Sequence, residues 1–156
     1  MARPYRSPDM IHDFLHISIT CRDLERTIRF YEALGLKTIK RFGEVQEQGI
    51  ADAFRLPTAR LAVAYLAAST EEGRMFIDLV QWLDPAAAGE AYPALNNVGL
   101  NRFALRVSDM DATIAAAKDR GVTFLTDEPQ SVGDEGMRFI VATDPDGVFV
   151  QLIEGF

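Results

Sequence analysis

The sequence predicts an α+β protein in which two tandem βαβββ modules form a curved mixed sheet around a central cleft. Three observations predict it. The chain repeats itself. Each copy reads strand, helix, then strands. A unit of about 70 residues is also too small to bury its own sheet, so two must pair. An offset of 86 positions lays Leu15-His16-Ile17-Ser18-Ile19 on Asn101-Arg102-Phe103-Ala104-Leu105. It continues without a gap through Asp23 on Asp109, Thr27 on Thr113, Ile28 on Ile114 and Gly35 on Gly121.

Phe14 to Thr20 alternates and is rich in β-branched residues, which predicts a strand. Asp23 is placed to cap a helix whose buried face is Leu24, Ile28, Tyr31 and Leu34, and Gly35 suits the left-handed position that ends it. Leu36 to Arg41, Leu61 to Leu66 and Met75 to Gln81 follow as strands, the last two joined by a turn at Glu72-Gly73. In the second copy Asn101 to Val107 is a strand and Asp109 caps a helix ending at Gly121. Val122 to Leu125, Arg138 to Ala142 and Val148 to Glu154 are strands, with a tight turn at Asp144-Pro145-Asp146-Gly147. The fourth strands align at an offset of 73, with Asp78 on Gln151, so the first copy is 13 residues longer. The extra length falls between Phe42 and Arg60 and predicts a short helix near Ile50 to Phe54. The expected organisation is an N-terminal extension 1–11, a first module 12–84, a linker 85–98 and a second module 99–156, one compact domain overall.

Of 156 residues, 48% are hydrophobic and 25% charged, an ordinary globular balance. Sixteen Lys+Arg against 23 Asp+Glu give a net charge of -7, and such a surface repels phosphate backbones, so no nucleic-acid partner is expected. No apolar run approaches the roughly 20 residues of a membrane span. Met1 to Asp9 is polar with two prolines and does not read as a signal peptide. Cys21 is the only cysteine, which excludes an intrachain disulfide and fits a cytoplasmic protein.

The tandem modules resemble the vicinal oxygen chelate superfamily, which includes glyoxalase I, extradiol dioxygenases and bleomycin-binding proteins. The likeness is carried by Phe14-Leu15-His16-Ile17, by Asp23-Leu24 to Phe30-Tyr31 to Gly35-Leu36, by Leu56 to Leu61 and by Ile77 to Trp82. Asp144-Pro145-Asp146-Gly147 to Gln151-Leu152-Ile153-Glu154 closes it. It covers roughly residues 12 to 155. It implies a site built from one residue on the first strand and one on the fourth strand of each module: His16, Asp78, Arg102 and Gln151. In metal-binding members these positions carry imidazole and acidic or amide ligands.

Here the set departs. His16, Asp78 and Gln151 have lone pairs to give, and a divalent metal would have to use those three. Arg102 has none and would bring a cation into the ion's place. No resident cofactor is expected, only a weakly held metal at most. The expectation for Asp78 is an ion pair with Arg102 across the pseudo-twofold, completed by Gln151. Arg102 would alternatively hook a substrate carboxylate, phosphate or enolate oxygen. His12 reads as a surface residue and Tyr65, Trp82, Phe103, Phe54 and Met75 as core or cleft lining. Cys21 reads as inert and Glu154 as turned away from the site. Asp13, Glu44, Glu47 and Glu71 read as solvated.

Two functions of different class remain. One is a glyoxalase-like isomerase, epimerase, lyase or ring-modifying enzyme for a small oxygenated substrate. In it Arg102 replaces the metal as electrophile and His16 or Asp78 moves the proton. The other is a non-catalytic protein that sequesters an aromatic natural product. A small-molecule ligand and a homodimer are expected in either case.

Overall fold

A computed structural model describes residues 11, 13–71, 74–133 and 136–155. His12, the Glu72-Gly73 turn and nearly all of the expected N-terminal extension lie outside these residues. The order is β1 (His16–Cys21), α1 (Leu24–Ala33), β2 (Lys37–Gln46), α2 (Gln48–Phe54), β3 (Arg60–Ala67) and β4 (Phe76–Asp84). The second half follows with β5 (Arg102–Arg106), α3 (Met110–Asp119), β6 (Gln130–Val132), β7 (Met137–Thr143) and β8 (Phe149–Glu154). Two four-stranded mixed sheets result, β1-β4-β3-β2 and β5-β8-β7-β6.

The internal repeat holds down to strand register. β1 runs parallel to β4 with Ser18 opposite Asp78, and β5 runs parallel to β8 with Ala104 opposite Gln151. The helices start by one repeated device. The Asp23 and Asp109 carboxylates accept from the Arg26 and Ala112 amides, each at 2.9 Å. The Gln81 and Glu154 side chains, at equivalent strand positions, accept from the Leu24 and Met110 amides. Both helices end alike: Gly35 and Gly121 take positive φ, and the amides of Leu36 and Val122 reach back to the Tyr31 and Ala117 carbonyls.

One expected strand is corrected. Val122 to Leu125 forms only a single bridge, Phe124 to Ala142, and the edge strand is Gln130–Val132. Val122 is buried and Leu125 still donates to the Val141 carbonyl. The Thr126 hydroxyl then turns back onto the Glu128 carbonyl, and Pro129 has no N–H to offer a ladder, so pairing resumes only at Gln130.

Alternation decides which residues face which way. Ile19, Cys21, Ile77, Leu79, Ala64 and Leu66 join the α1 face in one core that also takes in Met110, Ile114, Ile140, Val150 and Leu152 of the second half. Tyr31 is fully buried in this shared core, and its hydroxyl donates to Asp144 Oδ2 at 3.1 Å. Burial raises the pKa of Asp144, opposed by the N–H groups of Val148 and Asp146 and by the Tyr31 hydroxyl. Tyr31→Phe therefore leaves a buried carboxylate one donor short. The expected loss is about 1–3 kcal/mol by denaturant unfolding; an unchanged midpoint would show that this bond contributes nothing.

Candidate functional site

The face of the first sheet turned from the core carries His16, Ser18, Asp78, Tyr65 and Trp82, and it lines a pocket of about 440 Å³. The wall opposite is α2, which the 13 extra residues supply: Ile50 and Phe54, four apart on one helical face, both line the pocket. Phe54 lies 6.2 Å from Trp82, and Ala51, fully buried, seats the helix against Ala59, Leu61 and Val80. Rings continue along the sheet, with Tyr65 4.3 Å from Phe76 and Phe76 5.2 Å from His16.

Asp78 is the polar focus. Its Oδ2 accepts the Ser18 hydroxyl at 3.3 Å and lies 4.0 Å from His16 Nε2, an electrostatic contact too long for a hydrogen bond. Its Oδ1 is buried and has no hydrogen-bond partner. An unpartnered carboxylate oxygen costs free energy. Burial accordingly pushes the Asp78 pKa up, and the Ser18 hydroxyl and His16 offset this in part. Tyr65 is the cross-strand partner of Asp78, and burial, then the Asp78 charge, raises its phenol pKa, keeping it a donor.

The second half-site is separate. Arg102 donates through Nε to Gln151 Oε1 at 2.8 Å and through Nη1 to Asn101 Oδ1 at 3.0 Å. Gln151 is 8% exposed, which fixes the guanidinium by its neutral amide. Arg102 lines a second pocket with Asn101 and the open edge of β1, and Ser18 and Thr20 belong to both pockets. The expected Asp78–Arg102 ion pair is thus corrected. Among the described residues no carboxylate pairs with Arg102, and Asp78 is held by its own module. The strand register explains it: β1 and β4 place His16, Ser18 and Asp78 side by side, whereas Arg102 finds Gln151 on its own partner strand.

The donor chemistry does not fit a divalent ion. Gln151 Oε1, one of the three available donors, is committed to a cation. Among the described residues no three His, Cys, Asp or Glu side chains come together.

Of the other residues singled out, Tyr65, Trp82 and Phe54 line the Asp78 pocket, Phe103 packs on the shared core, and Met75 is partly exposed. Burial pushes the Cys21 thiol up to about 12, which leaves it unreactive. Glu154 is bound to Arg138 and the Met110 amide. Asp13, Glu44, Glu47 and Glu71 are exposed. Ser18 and Asn101 went unmarked in the sequence. Ser18 shares the strand parity of His16, and that signal would have found it.

If the two half-sites are independent, their mutations add. Arg102→Met should cost about 1–3 kcal/mol, because buried Gln151 loses its donor. Adding Asp78→Leu should change stability by the Asp78→Leu effect alone, within about 0.5 kcal/mol. Thermal melts of both singles and the double measure this, and a coupling of about 3 kcal/mol or more would restore the direct ion pair.

No curated protein matches the sequence. Among solved structures, a glyoxalase family protein from Bacillus cereus superposes with TM-score 0.82 at 20% identity, over 96% of this chain and 98% of that one. The trypanothione-dependent glyoxalase I of Leishmania major gives 0.64 at 18%, over 93% and 88%. Glyoxalase I of Zea mays gives 0.68 at 23%, over 90% of this chain and 43% of that one. At these identities the likeness establishes the fold. A family model matches residues 15–141, most of the length, and the chain belongs to the Glyoxalase/Bleomycin resistance protein/Dioxygenase superfamily.

Proposed function

We propose that the protein is a glyoxalase-like enzyme, an isomerase, epimerase or lyase, that moves a proton on a small, flat, oxygenated substrate bound over the first sheet. One observation carries the reading: Asp78 Oδ1 is buried, unpartnered and set among aromatic walls. Oδ1 itself is closed off, so a substrate hydroxyl or acidic C–H meets the carboxylate on its accessible side, the 17% of the Asp78 side chain left open in the pocket, while the donor missing at Oδ1 keeps that carboxylate basic. Asp78 then acts as base, with its raised pKa bringing it closer to the acidity of the proton it takes. The neutral Tyr65 phenol can donate to oxygen charge as it develops. His16, at the pocket mouth with a 37% exposed side chain, returns the proton to the substrate or to solvent. Arg102 would anchor an anionic substituent from the adjoining pocket, reached past Ser18 and Thr20. In this reading the enzyme works in the cytoplasm without a tightly held metal. It works as a homodimer, in which a second copy would cover the Ile39 and Phe42 side chains exposed on β2.

The aromatic walls also suit a second reading, sequestration of an aromatic compound without chemistry. One experiment separates them. With 2-hydroxyacetophenone as probe, the enzyme reading expects accelerated exchange of the CH₂ protons in D₂O, followed by NMR. Asp78→Asn should slow this by about a hundredfold or more. A base works only when ionised, so the rate should rise with pH through a midpoint above the ordinary aspartate range. Absence of catalysed exchange, while the single Trp82 indole resonance still shifts on adding probe, would favour sequestration. Absence of any Trp82 shift would remove the pocket itself from the account.

A further inference from the structure

At the seam between the halves, away from the Asp78 pocket, a cavity of about 510 Å³ is lined by three arginines, Arg26, Arg29 and Arg120. Two come from α1 and the third follows α3. Arg26 Nη2 reaches the Pro145 carbonyl at 3.3 Å, and Arg120 Nη1 reaches the Glu32 carbonyl at 3.4 Å, so each extends across the seam to the other half. No described carboxylate lies within ion-pair distance of any of the three. This is unlike Arg41, Arg60 and Arg74, each of which has one, and Arg22 and Arg138, each of which has two. The one acid in the cavity lining is Asp144. It is 4% exposed and already occupied: Oδ1 accepts the Asp146 and Val148 amides, and Oδ2 accepts the Tyr31 hydroxyl.

In a chain of net charge -7, three exposed guanidiniums line one opening against the single carboxylate of Asp144, which leaves an excess of positive charge there. Guanidiniums offer fork-shaped donors that match tetrahedral or carboxylate oxygens. The Thr123 and Thr143 residues in the lining add hydroxyl groups. We propose that this cavity binds a compact polyanion, of the diphosphate or polycarboxylate class, and that the ligand clasps the two halves together as a stabilising effector. The site is independent of the Asp78 pocket and of the chemistry assigned to it.

Pyrophosphate is the probe. A ligand bound only by the folded state raises the melting temperature, by about 5 °C or more at a hundredfold excess over its dissociation constant. The expected result is that shift for the wild type, with one pyrophosphate per chain by calorimetry. Potassium chloride at matched ionic strength should give no comparable shift. The triple variant Arg26→Gln, Arg29→Gln, Arg120→Gln loses only the two exposed bonds to the Pro145 and Glu32 carbonyls, so it should fold with a melting temperature lowered by about a few degrees, and should lose the response. Citrate and inorganic phosphate rank the ligand: a citrate response equal to pyrophosphate assigns the polycarboxylate class, a weaker one the diphosphate class. A wild-type pyrophosphate shift no larger than that of matched chloride overturns the proposal without any variant. A shift that survives in the triple variant overturns it too.

Discussion

Where α1 meets the second half of the molecule, Tyr31 is closed off from solvent and bonded to Asp144 in the β7–β8 turn. Around it the helix-bearing faces of both sheets merge into one apolar core. Neither half could bury enough surface alone. Sharing the core commits one face of each sheet to packing and leaves the other for polar residues. His16, Ser18, Asp78, Arg102 and Gln151 follow from that division, since each stands at an alternate strand position that the core does not use.

The two halves are alike in topology and register and unlike in their open faces. The first carries α2, whose Ile50 and Phe54 close a pocket over Asp78. The second has no helix at the corresponding place among the described residues, and its fourth-strand position holds a neutral amide tied to an arginine. The internal repeat sets the frame. The 13 further residues of the first half, and different residues at equivalent strand positions, make one half a pocket and the other a fixed cation.

Much of this was legible in the sequence because it rests on local rules. Asp23, Gly35, Asp109 and Gly121 mark both helices, and the helix expected near Ile50 to Phe54 forms as Gln48–Phe54. The strand expected at Val122 to Leu125 failed because a run of β-favouring residues reads as a strand whether or not its backbone finds a partner, and here Pro129 moves the pairing downstream. The four site positions are what the family resemblance implies, and the repeat alignment pairs them as equivalents. Their partners were not legible: whether Arg102 meets Asp78 or Gln151 depends on side-chain reach across particular strands, which periodicity does not encode. Charge, the fork shape of the guanidinium and the pseudo-twofold all point to the direct pair, and the strand register overrides them.

The account turns on Asp78 being a carboxylate held in reserve, with one oxygen bonded to Ser18 and the other kept from water with nothing to accept. The most direct test is an NMR titration of its side-chain carboxyl carbon in the ligand-free protein. Burial outweighs the opposing effects of Ser18 and His16, so the midpoint should lie above the ordinary aspartate range. Sign follows from linkage: an acid whose pKa is raised on folding stabilises the protein below its unfolded pKa. That contribution disappears as the pH rises through the folded value. A midpoint at or below the ordinary aspartate value would mean that Asp78 is solvated or paired, and would contradict the site described here.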